Sequence, residues 1–204
     1  MPSDAMVYVV DDDEAVRDSL VVLLESASYR VMAFESGDAF LAAGRLEGEG
    51  CVLSDIRMPG MDGLQLQAEL NRRKVALPVL FITGHGDVPV AVSAMKAGAV
   101  DFIEKPFEEE ALLRSIDRAV KLSQAARHRE AERADTLERV AQLTAREREV
   151  MERLAEGKQN KVIAIELGIS PRTVEIHRAR VMEKMAARSV SDLVRAVLTA
   201  GAAS

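Results

Sequence analysis

The stretch VLSDIRMPGMDG, residues 52–63, joins an apolar run to a turn and places an aspartate at the junction. An apolar run closed by Pro and Gly predicts a buried strand, here ending at Asp55. One carboxylate at a strand end proves no site, because such residues often serve only local structure. Asp55 would indicate a functional site if other strands ended in polar or charged residues at the same edge of a sheet.

Strand patterns alternate with helix patterns through the first 122 residues. The apolar, β-branched runs are residues 6–10, 29–34, 51–54, 78–83 and 100–103. Apolar residues recur at helical spacings in four further segments, residues 16–27, 64–70, 88–97 and 111–122. This alternation predicts an α/β domain in which helices cover both faces of a five-stranded parallel sheet.

Length and composition fit one large domain or two small ones. The chain has 204 residues, 48% of them apolar, so it can bury a core. We expect no membrane span, because no apolar run reaches 18 residues, and no signal peptide, because residues 1–6 lack the basic and apolar segments of one. Cys51 is the single cysteine, which excludes an internal disulfide and suits the reducing cytoplasm.

The net charge of −6 is unevenly distributed. Residues 1–121 carry 12 Lys and Arg against 21 Asp and Glu, a balance of −9, whereas residues 142–204 carry 11 against 8, a balance of +3. An acidic front and a mildly basic back indicate two domains with different partners. Residues 122–140 lack Gly, Pro and a wide apolar stripe, which predicts a solvated helical linker; a coiled coil is the alternative.

The last part of the chain, residues 141–204, shows only helix patterns. Thr144 and Glu147 have the spacing of a capping box, and Ser170 precedes a proline, as expected before a helix. A short amphipathic segment, residues 160–167, ends at Gly168, and a final helix is predicted from Ser189 or Ser191. The pattern predicts an all-α domain of four helices with a helix-turn-helix at its centre.

Four predicted strands end in polar residues. In a parallel sheet these ends share one edge, where ligands bind. Crowded carboxylates favour a bound cation, and oxygen ligands favour Mg²⁺. A carboxylate can also accept a phosphoryl group when nearby cations neutralise the charge. The groups that the sheet should gather are Asp11, Asp12, Asp55, Thr83 and Lys105.

Four segments, YVVDDDEAVRDSL, SDIRMPGMDG, FITGHGD and VDFIEKPF, resemble the receiver domain of two-component response regulators over about residues 5–122. The resemblance implies a flavodoxin-like fold with strand order 2-1-3-4-5. It implies that a sensor histidine kinase phosphorylates Asp55 in a Mg²⁺-dependent reaction. Asp11, Asp12 and Asp55, with the backbone carbonyl of Arg57, would hold the metal, and Lys105 would bind the phosphoryl group.

The same resemblance implies a switch. Thr83 would move toward the phosphoryl group and Phe102 would turn inward, reshaping the face of the fourth helix and fifth strand. That face would become a dimer interface. A cis peptide is expected between Lys105 and Pro106, and His85 and Arg57 are expected to tune dephosphorylation.

Residues 141–202 resemble the four-helix DNA-binding domain of the LuxR/FixJ family, so the chain as a whole resembles a FixJ-type response regulator. The second helix of a helix-turn-helix enters the major groove. The resemblance places Glu175, Ile176 and Ala179 against base edges. Six residues are expected to contact phosphates and set register: Asn160, Lys161, Arg172, Thr173, His177 and Lys184.

The sequence thus predicts a cytoplasmic DNA-binding transcriptional regulator that is not an enzyme beyond slow autodephosphorylation. Its expected partners are a sensor kinase, paired DNA half-sites, a second copy of itself and RNA polymerase, with no membrane. One alternative is a receiver-containing adaptor whose helical tail binds protein. Another is an aspartyl-phosphate hydrolase, which position 57 disfavours because such enzymes carry a second Asp there.

Overall fold

The computed structural model describes residues 5–44, 48–84 and 88–201. The chain forms two compact units, residues 1–127 and 128–204. None of the helices in these described ranges combines the length and the apolar content that a membrane crossing needs.

The first unit is built on one five-stranded parallel sheet. Its strand order, β2-β1-β3-β4-β5, is the predicted one. The register aligns Val10 with Ser54 and Asp55 with Ile82, which brings the carboxyl ends of β1, β3 and β4 to one edge. The strands are β1 Met6–Val10, β2 Arg30–Phe34, β3 Gly50–Asp55, β4 Val79–Thr83 and β5 Asp101–Glu104.

Helices pack on both faces of the sheet and create two cores. On one face Leu20 and Leu24 meet Leu112 and Ile116. On the other face lie Phe40, Leu66 and Leu70. Every residue of β3 and β4 is buried, as expected of central strands in a parallel sheet. The helices are α1 Glu14–Ser26, α2 Gly37–Ala42, α3 Gly63–Arg72, α4 Val88–Lys96 and α5 Glu109–Ala141.

Helix α2 was not predicted. It has only six residues and begins after Ser36, whose side chain accepts a hydrogen bond from Ala39 N at 3.1 Å. Its buried side chain is that of Phe40, which stacks edge-on against Tyr8 and Phe34. A single large apolar residue gives no periodicity, so the sequence pattern could not show this helix.

Helix α5 runs without a break through the predicted linker. It has 33 residues, and no described residue between Ser123 and Val140 is buried. The exposed stretch carries ion pairs one turn apart, such as Arg139 to Asp135 at 2.7 Å. Its helix formers and charged pairs explain why it stays helical with little packing.

The second unit contains the last turns of α5 and four short helices, as predicted. Thr144 and Glu147 form the expected capping box, and Ser170 and Ser189 accept hydrogen bonds from backbone N–H groups at the starts of their helices. The helices are α6 Ala145–Ala155, α7 Asn160–Leu167, α8 Pro171–Lys184 and α9 Val190–Ala200. Their core is formed by Val150, Met151, Leu154, Ile163, Val174, Val181, Leu193 and Val197.

Candidate functional site

The ends of three strands meet around the ammonium of Lys105. Its Nζ donates to Asp11 Oδ2 at 2.9 Å and to Asp55 Oδ1 at 3.1 Å. Asp11 is 1% exposed and Asp55 is 7% exposed, so both carboxylates are buried. Lys105 therefore sets one positive charge against two acids that lie 94 and 50 residues away in sequence.

Backbone N–H groups hold the two carboxylates from the other side. Arg57 N donates to Asp55 Oδ2 at 2.6 Å, and Asp13 N donates to Asp11 Oδ1 at 3.0 Å. A glycine closes the turn after β3: a Cβ on Gly63 would lie 2.4 Å from the Asp55 carbonyl oxygen. The tight return of α3 onto the strand end therefore requires glycine at this position.

The two aspartates after Asp11 have different roles. Asp13 caps α1 by accepting from Ala15 N at 2.9 Å and Val16 N at 3.3 Å. Asp12 is exposed. Asp12 therefore takes no part in the cap, and its exposed side chain follows the buried Asp11 in sequence.

Burial and ion pairing have opposite effects on the pKa values of Asp55 and Lys105, which line the pocket at this sheet edge. Burial raises the pKa of Asp55, although the hydrogen bond and charge of Lys105 and the Arg57 N–H act to lower it. For Lys105, burial lowers the pKa, but the hydrogen bonds and the negative charges of Asp11 and Asp55 together raise it above its usual value. Lys105 thus stays an ammonium, while Asp55 is less strongly acidic than a carboxyl group in water.

Of the two predicted switch residues, Thr83 lies at the same sheet edge and Phe102 lies two residues before the end of β5. Thr83 ends β4 and is 2% exposed, and its carbonyl oxygen accepts a hydrogen bond from Lys105 N at 2.7 Å. Phe102 is half-buried, pairs in register with Phe81 and packs on the second core. The Lys105–Pro106 peptide is cis, as predicted. His85 lies outside the described residues.

The donor set suits Mg²⁺ in its chemistry. Asp11, Asp12, Asp55 and the Arg57 carbonyl offer only oxygen ligands, and Mg²⁺ is usually held by one or two carboxylates with several waters. Within the described ranges, no three acidic, His or Cys side chains are arranged to hold a metal ion. The Asp11 and Asp55 oxygens that would be offered to a metal are already in contact with the ammonium of Lys105.

The predicted base-facing residues lie on the exposed side of α8. Glu175, Ile176 and Ala179 are all exposed, whereas Val174 and Val181 on the same helix are fully buried. Ile176 is 48% exposed, which is high for a large apolar side chain. Glu175 is exposed, so a donor from outside the protein can reach its carboxylate.

The predicted phosphate contacts have different surroundings. Lys161 and Arg172 are exposed. Thr173 Oγ1 shares a 2.8 Å hydrogen bond with Ser170 Oγ at the start of α8. His177 is half-buried, and its Nδ1 is buried without a hydrogen-bond partner among the described residues.

Two contacts in this unit were not predicted. Lys184 Nζ donates to Glu147 Oε2 at 2.6 Å, so the ammonium is held by a buried carboxylate of its own unit. Arg178 Nη1 donates to Asn160 Oδ1 at 3.2 Å and links α8 to α7. Both contacts join residues far apart in sequence, and no local pattern signals them.

Comparison with known proteins places both units in described families. Residues 7–117 match the response regulator receiver domain. Residues 141–197 match the luxR family of bacterial regulatory proteins.

Curated relatives match along nearly the whole chain. The chain is 50% identical over 201 residues to the transcriptional regulatory protein FixJ of Bradyrhizobium diazoefficiens, covering 98% of both chains. It is 49% identical over 203 residues to FixJ of Azorhizobium caulinodans, covering 100% of this chain and 96% of that protein.

Solved structures of response regulators also match nearly the whole chain. The response regulator StyR aligns with a TM-score of 0.84 and 42% identity over 96% of this chain and 99% of that chain. Full-length FixJ from B. japonicum aligns with a TM-score of 0.60 and 50% identity over 99% of this chain and 100% of that chain. The chain therefore belongs to the FixJ-like response regulators, DNA-binding transcriptional regulators that join a receiver domain to a LuxR-type helix-turn-helix domain.

Proposed function

We propose that a sensor histidine kinase phosphorylates this regulator on Asp55 and that the phosphorylated chain binds paired DNA half-sites as a dimer. The observation that carries the proposal is the contact of one ammonium, that of Lys105, with the buried carboxylates of Asp11 and Asp55. A phosphoryl acceptor needs a positioned nucleophile and nearby positive charge more than it needs proton transfer.

In the proposed reaction an Asp55 oxygen forms a bond to phosphorus as the bond from phosphorus to the kinase's histidine nitrogen breaks. The imidazole keeps the electron pair, and the aspartate becomes an acyl phosphate. The Arg57 N–H holds the other Asp55 oxygen at 2.6 Å and so orients the nucleophile. Lys105 can follow the charge from the carboxylate to the phosphoryl oxygens.

Asp11, Asp12, Asp55 and the Arg57 carbonyl would hold Mg²⁺. When bound, the ion neutralises phosphoryl charge and helps to align the group for transfer. Position 57 carries arginine where a phosphohydrolase would carry a general acid, which supports a stable acyl phosphate with at most slow autodephosphorylation. The chain would then be a phosphoryl acceptor rather than a turnover enzyme.

The proposed switch links the pocket to dimerisation. Thr83 and Phe102 lie on neighbouring strands, at and near the sheet edge that carries Asp55. Their rearrangement would reshape the face of α4 and β5, where Val88, Val92 and Met95 are exposed. The charge added at Asp55 by phosphorylation would thus favour one of two conformations of the α4 and β5 face. Pairing two chains raises the local concentration of their DNA-binding units without new DNA contacts.

In the DNA complex α8 would lie in the major groove. Glu175 can accept from cytosine N4, and Ile176 or Ala179 can contact a thymine methyl group. The expected phosphate contacts are those of Asn160, Lys161, Arg172, Thr173, His177 and Lys184, with that of Lys184 requiring its release from Glu147. We assign residues 1–121 to phosphorylation, 122–140 to a helical linker and 141–204 to DNA binding. Because the regulator would bind DNA, we place its action in the cytoplasm. RNA polymerase is a further candidate partner.

The proposal is tested with Asp55→Asn. The variant should neither form an acyl phosphate with a phosphorylated kinase or acetyl phosphate nor gain DNA affinity on such treatment. Asp38→Asn, which changes an acid on α2 outside the pocket, is the control and should behave as wild type. A fully inducible Asp55→Asn chain would overturn the assignment of Asp55. Steady hydrolysis of small phosphomonoesters would favour a hydrolase, and failure to bind any duplex at low salt would favour the protein-binding adaptor.

A further inference from the structure

The contact between Arg178 and Asn160 suggests a role in DNA binding for an arginine that the predicted contact set omits. Arg178 lies in the middle of α8 and is half-buried, and its Nη1 donates to Asn160 Oδ1 at 3.2 Å. Asn160 is the first residue of α7, whose preceding residue, Gln159, makes no side-chain cap. The contact therefore spans the two helices of the helix-turn-helix.

The chemistry of the two side chains fixes how the amide is oriented. A guanidinium has donors and no acceptor, so the Asn160 atom that faces it must be the oxygen. The amide nitrogen then faces away from Arg178 with both N–H bonds available, and no described residue accepts a hydrogen bond from it. A rotation of the amide by half a turn would present an oxygen to an approaching phosphate instead.

We propose that Arg178 is a positioning residue for DNA binding, which holds the Asn160 amide so that its N–H groups face a phosphate oxygen. The proposal rests on the proposed DNA-binding function and on Asn160 as a phosphate contact. Arg178 acts through Asn160 and does not itself contact the phosphate. Its own charge therefore adds nothing to the number of phosphates that the protein neutralises.

Two measurements distinguish a positioning role of Arg178 from a direct phosphate contact and from a purely structural role. They are the salt dependence of DNA binding and the energetic coupling between Arg178 and Asn160. A direct phosphate contact by Arg178 would contribute about 0.9 to the slope of log affinity against log salt, whereas a positioning residue leaves that slope unchanged. A residue that acts only on folding changes the unfolding midpoint and shows no coupling to Asn160 in DNA affinity. A positioning residue shows strong coupling, because its effect disappears once the amide is gone.

The experiment measures binding of the full-length, acetyl-phosphate-treated chain to a duplex selected by the wild-type protein from a randomised pool. Arg178→Met should weaken binding about fivefold, the loss expected for one hydrogen bond. Asn160→Ala should weaken it by a similar factor, and the double variant should be no weaker than Asn160→Ala alone. Arg180→Met, which removes the same charge from an exposed position on α8, is the matched control and should be additive with Asn160→Ala.

Three results would overturn the proposal. They are an unchanged affinity of Arg178→Met, a salt slope reduced by about 0.9, or additive losses in the double variant. An unchanged affinity of Asn160→Ala would remove Asn160 from the phosphate contacts and the inference with it. Failure of every variant and of the wild type to bind duplex would instead count against the proposed function. Unfolding midpoints of all variants identify any loss that comes from misfolding.

Discussion

Lys184 Nζ lies 2.6 Å from Glu147 Oε2, which joins the last turn of α8 to the first turn of α6. The Glu147 side chain is only 3% exposed, and that of Lys184 is 34% exposed. The same ammonium donates to the Gln142 carbonyl at 3.2 Å, and the Glu147 carboxylate accepts from Thr144 N at 2.9 Å. This group of contacts ties the start of the helical unit to the end of its recognition helix.

Replacing Lys184 with methionine should destabilise the second unit. The substitution keeps the length of the side chain but leaves the Glu147 carboxylate buried without its cation, which costs about 1.5–3 kcal/mol. Urea unfolding followed by circular dichroism measures the change. Lys161→Met removes an exposed lysine from the same unit and should change stability by less than about 0.5 kcal/mol. Equal losses in the two variants would show that the pair contributes nothing.

The stability of the second unit should fall at acid pH because of Glu147. Hydrogen bonds from Lys184 and then from Thr144 N–H lower the pKa of Glu147 from 4.5 to about 2. A lowered carboxyl pKa stabilises the fold above pH 4.5, and this contribution is lost as the pH falls from 4.5 toward 2. Glu147→Gln should remove this part of the pH dependence, measured as urea midpoints across the interval. Parallel profiles for the variant and wild type would contradict the assignment.

Lys105→Met should bind Mg²⁺ more tightly than wild type. In the present geometry the ammonium occupies oxygens of both Asp11 and Asp55, so a metal must compete with it for the same carboxylates. We expect at least about a fivefold lower dissociation constant by calorimetric titration, equivalent to about 1 kcal/mol. Lys121→Met, which removes an exposed lysine from α5, should leave the constant unchanged. A weaker constant for Lys105→Met would mean that the lysine supports the metal instead of competing.

Gly63→Ala should destabilise the first unit. The new methyl group would lie 2.4 Å from the Asp55 carbonyl oxygen and 2.9 Å from Phe81 Cε1, so the turn after β3 must shift. Overpacking of this kind costs about 1–3 kcal/mol. Gly84→Ala is the control, because no described atom lies within 4 Å of the position its methyl group would take. Thermal unfolding of both variants provides the comparison, and a Gly63→Ala chain as stable as wild type would refute the steric argument.

The sheet and its polar edge could be predicted because parallel topology converts sequence order into position. Met6–Val10 was placed without error, and the ends of the other strands were located to within one residue. Once β1, β3 and the segment after β5 were known to end at one edge, Asp11, Asp55 and Lys105 had to converge. The sequence alone could not show which aspartate caps α1, since Asp12 and Asp13 are both suitable cap residues; the structure assigns Asp13.

The helical unit was predictable in its elements and less so in its contacts. Caps at Thr144 and Ser170 follow from local spacing, whereas the sequence left the start of the last helix between Ser189 and Ser191, and the structure assigns Ser189. The partner of Lys184 does not, because the packing of α6 against α8 decides which carboxylate it meets. The sequence does not distinguish a basic residue that forms an ion pair within a helix-turn-helix from one that contacts DNA.

The position of Lys105 also bears on how the receiver domain is made in the cell. Many small metal-binding domains fold only after their metal has bound, and chelators then unfold the protein. Here the ammonium of Lys105 already contacts both buried carboxylates, so we expect newly synthesised receiver domain to reach its native state in medium stripped of divalent ions. Maturation of this regulator should then not depend on metal supply.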